Sequence, residues 1–294
     1  MRQVRTIAFA VEMFDLDNQA RRLTSATRRN YLRLLSQFSK WCEQYEITNL
    51  DDVKPTTIRQ YLANLAARGL STTSQHNQYR TLRTFFGYCV RDELLALSPL
   101  RTMRAPQTET KLPKVFNRED LDIIFAACQT TRDKAICLFL LDSGLRAAEL
   151  CSLNVDDVDV KTGAVLVEKG KQQKQRVVYV GATVRKQYRR YLVERGNPSR
   201  QDPAFVSERG GARLTVNALV QLMRRLRLAT GVKQCSAHTF RRTFATSCLR
   251  NGMNIYILAK LMGHTDIIVL KKYLAIVEDD LSGAHDQHGP VDNM

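Results

Sequence analysis

Proline and glycine are scarce, 7 and 14 among 294 residues, which excludes a collagen-like or low-complexity chain. No apolar run approaches the length of a membrane span. Residues 1–19, MRQVRTIAFAVEMFDLDNQ, hold only a short apolar stretch interrupted by acids, which argues against a signal peptide. A cytoplasmic protein with no membrane partner is therefore expected. The seven cysteines are odd in number, form no CxxC pair and sit mostly among apolar neighbours, so reduced, buried thiols are expected rather than disulfides or a zinc site. The chain also lacks a Walker loop, a GxGxxG, an HExxH and any clustered acidic metal site. Neither a cofactor nor a metal is expected.

Acidic side chains are the other shortage. Asp and Glu number 29 against 45 Lys and Arg, a formal charge of +16. The surplus is spread over both halves of the chain rather than held in a tail, and a polyanionic partner, nucleic acid first, follows from it. The length and the 44% hydrophobic content favour two globular domains.

Apolar spacing divides the chain. In TSATRRNYLRLLSQFSKWCEQY, Tyr31, Leu34, Leu35, Phe38, Trp41 and Cys42 recur at steps of three and four, and Ser25 is placed to cap that helix. Only about twenty residues are expected before this first helix. A second fits KPTTIRQYLANLAARG, closed by Gly69, and a third fits TTSQHNQYRTLRTFFGYCVRDELL. Tyr79, Leu82, Phe86 and Cys89 form the apolar face of the third. His76, Arg80 and Arg83 fall together on another face, either as solvated surface or as a surface for DNA.

Residues 98–117, with three prolines and no periodicity, read as an extended linker. The expected organisation is a helical domain over 18–100, a linker over 101–117, a second domain over 118–275 and a tail over 276–294. In the second domain REDLDIIFAAC and TTRDKAICLFLLDSG read as helices. Val165–Val167 and Val177–Val180 read as a hairpin around a lysine-rich turn, and helical patterns return at 182–194, 214–229, 238–251 and 254–274. The fold class is mainly α with a small antiparallel sheet.

If such a protein cleaves a phosphodiester without a metal, it needs cations to neutralise the developing charge, a nucleophile and a proton donor. Four stretches hold such groups, and each has a bland reading. Arg146 in SGLRAAELCSL is otherwise a surface arginine paired to Glu149. Lys169 in EKGKQQKQR is otherwise a solubilising turn lysine. His238 and Arg241 in AHTFRRTFAT are otherwise a capping histidine and an exposed arginine. Tyr273, nine residues after His264 in GHTDIIVLKKYLA, is otherwise core with a polar tip.

Taken together, and in this order, the four stretches resemble the tyrosine recombinase (phage integrase) family, particularly its compact Xer-like members. That family shows an arginine in a T-G-L-R-x-x-E-L box, a lysine on a β-hairpin, an H-x-x-R box, and G-H or G-W followed nine residues later by tyrosine. Ser143 stands where the family usually has threonine, and Met262 where leucine is common. The resemblance covers most of the chain, including a SAM-like core-binding domain ahead of the linker.

The resemblance implies roles. Arg146 and Arg241 would clamp the non-bridging oxygens of the scissile phosphate, and Tyr273 would attack phosphorus to leave a 3′-phosphotyrosyl link and a 5′-hydroxyl. Lys169 would protonate the leaving oxygen, His238 would assist proton transfer and His264 would buttress the phosphate. Lys171 and Lys174 rival Lys169 or contact DNA phosphates. Double-stranded DNA with paired core sites, and a tetramer of this chain on it, are the implied partners. Site-specific recombination is the function expected; a type IB topoisomerase-like activity or a catalytically idle DNA-binding protein on the same fold are the alternatives.

Overall fold

Hydroxyl and amide side chains set most helix starts in this chain. In a computed structural model describing residues 5–108, 114–168, 175–208, 210–263 and Leu270, the chain divides into two compact units, Met1–Lys111 and Leu112–Met294. No helix among the described residues is long and apolar enough to cross a membrane.

The first unit contains α1 (Ile7–Ala20), α2 (Ser25–Gln44), α3 (Pro55–Ala67) and α4 (Thr72–Arg91). The cap of α2 is Thr24 rather than Ser25: its hydroxyl accepts from the Thr27 N–H at 3.2 Å. Helix α1 lies within the stretch expected to precede the first helix. Its acids at 12, 15 and 17 obscure a stripe in which Ile7, Ala10, Phe14 and Asn18 are buried at steps of three and four. Phe14 then meets Phe85 of α4 edge to face at 5.7 Å, and Phe38 of α2 meets Tyr61 of α3 at 5.1 Å. Gln78, 2% exposed, donates to the Leu34 carbonyl at 2.8 Å, so this buried amide is satisfied on its donor side.

The second unit begins with α5 (Arg118–Ala126), α6 (Thr131–Ser143) and α7 (Ala147–Ser152), continues through β1 (Ala164–Val167) and β2 (Arg176–Tyr179), and adds α8 (Ala182–Glu194), α9 (Val216–Thr230), α10 (Ala237–Arg250) and α11 (Ile255–Met262). Helix α6 is buried on nearly every side and packs against α8 and α10, as its apolar sequence requires. The two strands pair antiparallel, Val165 opposite Val178 and Val167 opposite Arg176, with the valines turned into the core. The fold is thus mainly α with a small antiparallel sheet, as expected.

One expected helix, 254–274, is broken. Gly263 adopts φ +62° and ends α11 in the left-handed conformation, which glycine takes without a Cβ penalty. Leu270 is buried further along, in a satellite core with Phe244, Leu249, Leu258 and Met262.

Candidate active site

Gly144 is where the site starts. It closes α6 at φ +61°, and a Cβ there would run into the Phe244 ring, so only glycine lets the chain turn so close to α10. The turn delivers Arg146 as the N-cap of α7 and Glu149 as its third residue. The Glu149 carboxylate accepts from the Arg146 backbone N–H at 2.8 Å, the half of a capping box that satisfies an otherwise unpaired donor, and from Arg146 Nη1 at 2.8 Å. The surface pairing of Arg146 with Glu149 is therefore real, and it is also what builds the site.

Two more arginines reach the same carboxylate. Arg176, the first residue of β2, donates from Nη1 and Nη2 to the two Glu149 oxygens at 3.0 and 2.8 Å. Arg241 of α10 brings Nη1 to 4.0 Å from Glu149 and donates from the same nitrogen to the Gly144 carbonyl. Each arginine also holds one of three successive carbonyls at the end of α11. Arg176 Nε donates to Leu261 at 2.8 Å, Arg241 Nη2 to Met262 at 2.6 Å, and Arg146 Nη2 to Gly263 at 3.1 Å. These carbonyls are among those a helix leaves without partners, so the guanidiniums fix the point from which the chain leaves for His264.

Among the described residues, three guanidiniums around one carboxylate leave a surplus of two positive charges. A surplus of that sign suits the pocket to an anionic group. Burial works to raise the Glu149 pKa; the hydrogen bonds from Arg176 and the Arg146 backbone outweigh it and bring the value down to about 2. Arg241 is buried and only 9% of the Arg176 side chain is exposed, whereas 39% of the Arg146 side chain is exposed, so Arg146 offers the open edge. Guanidinium has five donors, and among the described residues the Arg146 side chain spends one on Glu149 and one on Gly263.

His238 is exposed at the start of α10, three residues before the buried Arg241. It is not the cap: the Ser236 hydroxyl fills that place, accepting from the Thr239 N–H at 3.1 Å. The expected alternative of an exposed arginine also fails at position 241, which is 4% exposed. Lys169, Lys171, Lys174, His264 and Tyr273 lie outside the described residues. In the first unit, Arg80 and Arg83 are exposed on α4 and His76 is half-buried with Nδ1 3.0 Å from the Pro106 carbonyl. Arg80 lines a polar groove of about 260 Å³ with Asn30 and Thr27 of α2 and Asn77 of α4. Among the described residues no group of three or more His, Cys, Asp and Glu is placed to hold a metal ion.

Sequence reading missed Arg176. The signal was a cation at the head of a valine-rich strand: Arg176 and Val178 share the inward side of β2, and an inward charge demands a partner.

Comparison with known proteins gives the family. Residues 114–279 match the model of the phage integrase family, and residues 16–93 match the phage integrase N-terminal SAM-like domain. Tyrosine recombinase XerD of Pseudomonas putida is 30% identical over 279 residues, covering 91% of this chain and 92% of that protein. Tyrosine recombinase XerD of Oceanobacillus iheyensis is 27% identical, covering 97% and 99%. Among solved structures, XerH bound to a palindromic difH substrate in a post-cleavage complex superposes with a TM-score of 0.75 at 20% identity, covering 94% of this chain and 83% of that one. The chain belongs to the phage integrase family and is a site-specific recombinase of the tyrosine type.

Proposed function

We propose that the protein exchanges DNA strands at specific sites through a 3′-phosphotyrosyl intermediate, using side chains alone. The observation that carries this reading is the meeting of Arg146 and Arg241 around Glu149, at the helix end that leads to His264. Planar guanidinium groups stay charged and match two phosphate oxygens, which suits Arg146 and Arg241 to the non-bridging pair. Tyr273 attacks phosphorus, the 5′-oxygen leaves with a proton from Lys169, and His238 assists proton transfer at the tyrosine; positioned acids and bases contribute roughly 10²–10⁴-fold each. His264 buttresses the phosphate. One phosphodiester is exchanged for another of similar energy, so a 5′-hydroxyl from a second strand reverses the attack and reseals DNA without ATP.

The basic charge of both domains supports a double-stranded DNA partner, and the DNA-bound state of the similar XerH agrees with it. On this reading residues 18–100 grip DNA, with His76, Arg80 and Arg83 on the face toward it, and residues 118–275 cut and rejoin. Lys171 and Lys174 contact phosphates beside the cleavage point. Four copies act on two duplexes, and the acidic tail 276–294 passes between neighbours. The reading is tested on nicked duplexes that trap the intermediate. The parent protein forms a covalent adduct and Tyr273→Phe binds without forming one; an adduct undiminished in that variant removes Tyr273 from the reaction.

A further inference from the structure

Arg176 sits on the inner side of a two-stranded hairpin, opposite Val167, with 9% of its side chain exposed. Burying a cation there is costly unless it is fully paired. It is paired on three sides: Nη1 and Nη2 to Glu149, Nε to the Leu261 carbonyl. Gly263 roofs it, since a Cβ at that position would stand 3.0 Å from Nη1 and 3.1 Å from Cζ. Among the described residues all of its nitrogens are engaged and 9% of the side chain is exposed, against 39% for Arg146.

We propose that Arg176 is a positioning residue for strand cleavage: it holds Glu149 and the end of α11 so that Arg146 keeps its free donors turned to the scissile phosphate. The inference rests on the reading of this pocket as the recombination site. Its physical basis is competition for one carboxylate. With Arg176 in place, Glu149 Oε1 is shared between the Arg176 and Arg146 guanidiniums and Oε2 takes Arg176 Nη2 and the Arg146 backbone N–H, so Arg146 is held by one side-chain bond to Glu149. Without Arg176, each Glu149 oxygen loses one donor and regains an acceptor position beside the Arg146 backbone N–H and Nη1, so the planar fork of Arg146 closes on the carboxylate and turns away from DNA. Arg176 also begins β2, opposite the end of β1, and so anchors the base of the hairpin whose turn sequence contains Lys169.

The pH dependence offers a separate readout. The charged groups against Glu149 among the described residues are Arg146 at its own helix start, Arg176 from β2 and Arg241 from α10. From α9, Arg224 and Arg227 line the cavity that Ala147 also lines. Removing Arg176 takes away the strongest group that keeps Glu149 ionised against its burial, so protonation should begin at higher pH.

The experiment uses the full chain and nicked duplexes with a randomised central segment, enriched through the parent's covalent adduct with Tyr273→Phe as the blank. One enriched duplex is then used for Arg176→Met, Arg176→Lys, Glu149→Gln and the Arg176→Met/Glu149→Gln double variant, scored for DNA affinity and for single-turnover adduct rate against pH. Arg176→Met should bind as the parent does and react on the order of 10²-fold more slowly, as a misplaced reactive group does. Its acid limb should move to higher pH, and Glu149→Gln should add little on top. Arg176→Lys should fall between, because an ammonium restores charge without bridging three acceptors. An unchanged rate in Arg176→Met, a slower rate with an unmoved acid limb, or losses that multiply in the double variant would each overturn the inference. If Arg176→Met does not fold, Arg176→Lys carries the test: a slower rate with a smaller shift of the limb supports the inference, and parental behaviour overturns it. A parent that traps no DNA would sink the recombination reading itself, whereas a parental adduct that Arg176→Met matches sinks this inference alone.

Discussion

The Glu149 carboxylate closes the first turn of α7 on the Arg146 backbone N–H at 2.8 Å while its other oxygen accepts from the Arg146 guanidinium, also at 2.8 Å. One side chain thereby caps a helix and supplies the counter-charge of the pocket. Folding and chemistry share this group, so changes here should register in both.

Acid should therefore weaken the second unit in a definable window. Glu149 titrates near 2 in the folded chain against an ordinary 4.5, so the unfolded chain binds the proton more readily. The contribution is complete above about pH 4.5 and drains as pH falls toward 2, and is worth about 3 kcal/mol from the size of the shift. Thermal melts across that range should fall steeply for the parent, and Glu149→Gln should flatten this part of the curve while lowering Tm at neutral pH. An unchanged slope in Glu149→Gln would place the acid sensitivity elsewhere.

Arg146 and Arg241 should separate when rate and stability are measured side by side. Losing either as a transition-state donor should slow adduct formation by about 10²–10³-fold. Arg241→Ala also strips the buried Gly144 and Met262 carbonyls of a donor, each costing about 1–3 kcal/mol, whereas Arg146→Ala removes a side chain that is 39% exposed. The melting temperature should drop much further for Arg241→Ala.

Gly263→Ala is a small change with two costs. The left-handed conformation at φ +62° disfavours a Cβ by about 1–2 kcal/mol, and the new methyl presses on Arg176. Chemical denaturation should show a loss at least that large. Gly210→Ala, with a similar φ of +78° and open space around it, is the control that isolates the contribution of Arg176.

DNA binding should be strongly salt-dependent, with a log–log slope of about −0.9 for each phosphate neutralised. Arg80→Ala and Arg83→Ala should each reduce that slope by about 1 and weaken binding, if both touch phosphates. Titrations at several salt concentrations give the slopes directly; an unaltered slope in both variants would move the DNA face off this side of α4.

Much of this was legible in the residues before the structure, and the gaps have physical causes. The apolar run of α6, the hairpin valines and the Pro55 and Gly69 ends of α3 are local signals, and they hold. Helix α1 was missed because its buried stripe is narrow and shared with acids at 12, 15 and 17. Gly263 could be read as a helix end or tolerated within a helix; three guanidiniums from distant elements, capturing the carbonyls of 261 to 263, decide it. The arginines were found through motif spacing. Arg176 was not, because its purpose shows only when β2, α7 and α11 are brought together.

The most direct measurement is the site of DNA attachment. Trapped adduct, digested with protease and nuclease and read by mass spectrometry, should carry a nucleotide on the peptide that contains Tyr273, linked through its 3′-phosphate. Attachment at another tyrosine, such as the exposed Tyr179 or Tyr256, or through a 5′-phosphate, would contradict the account.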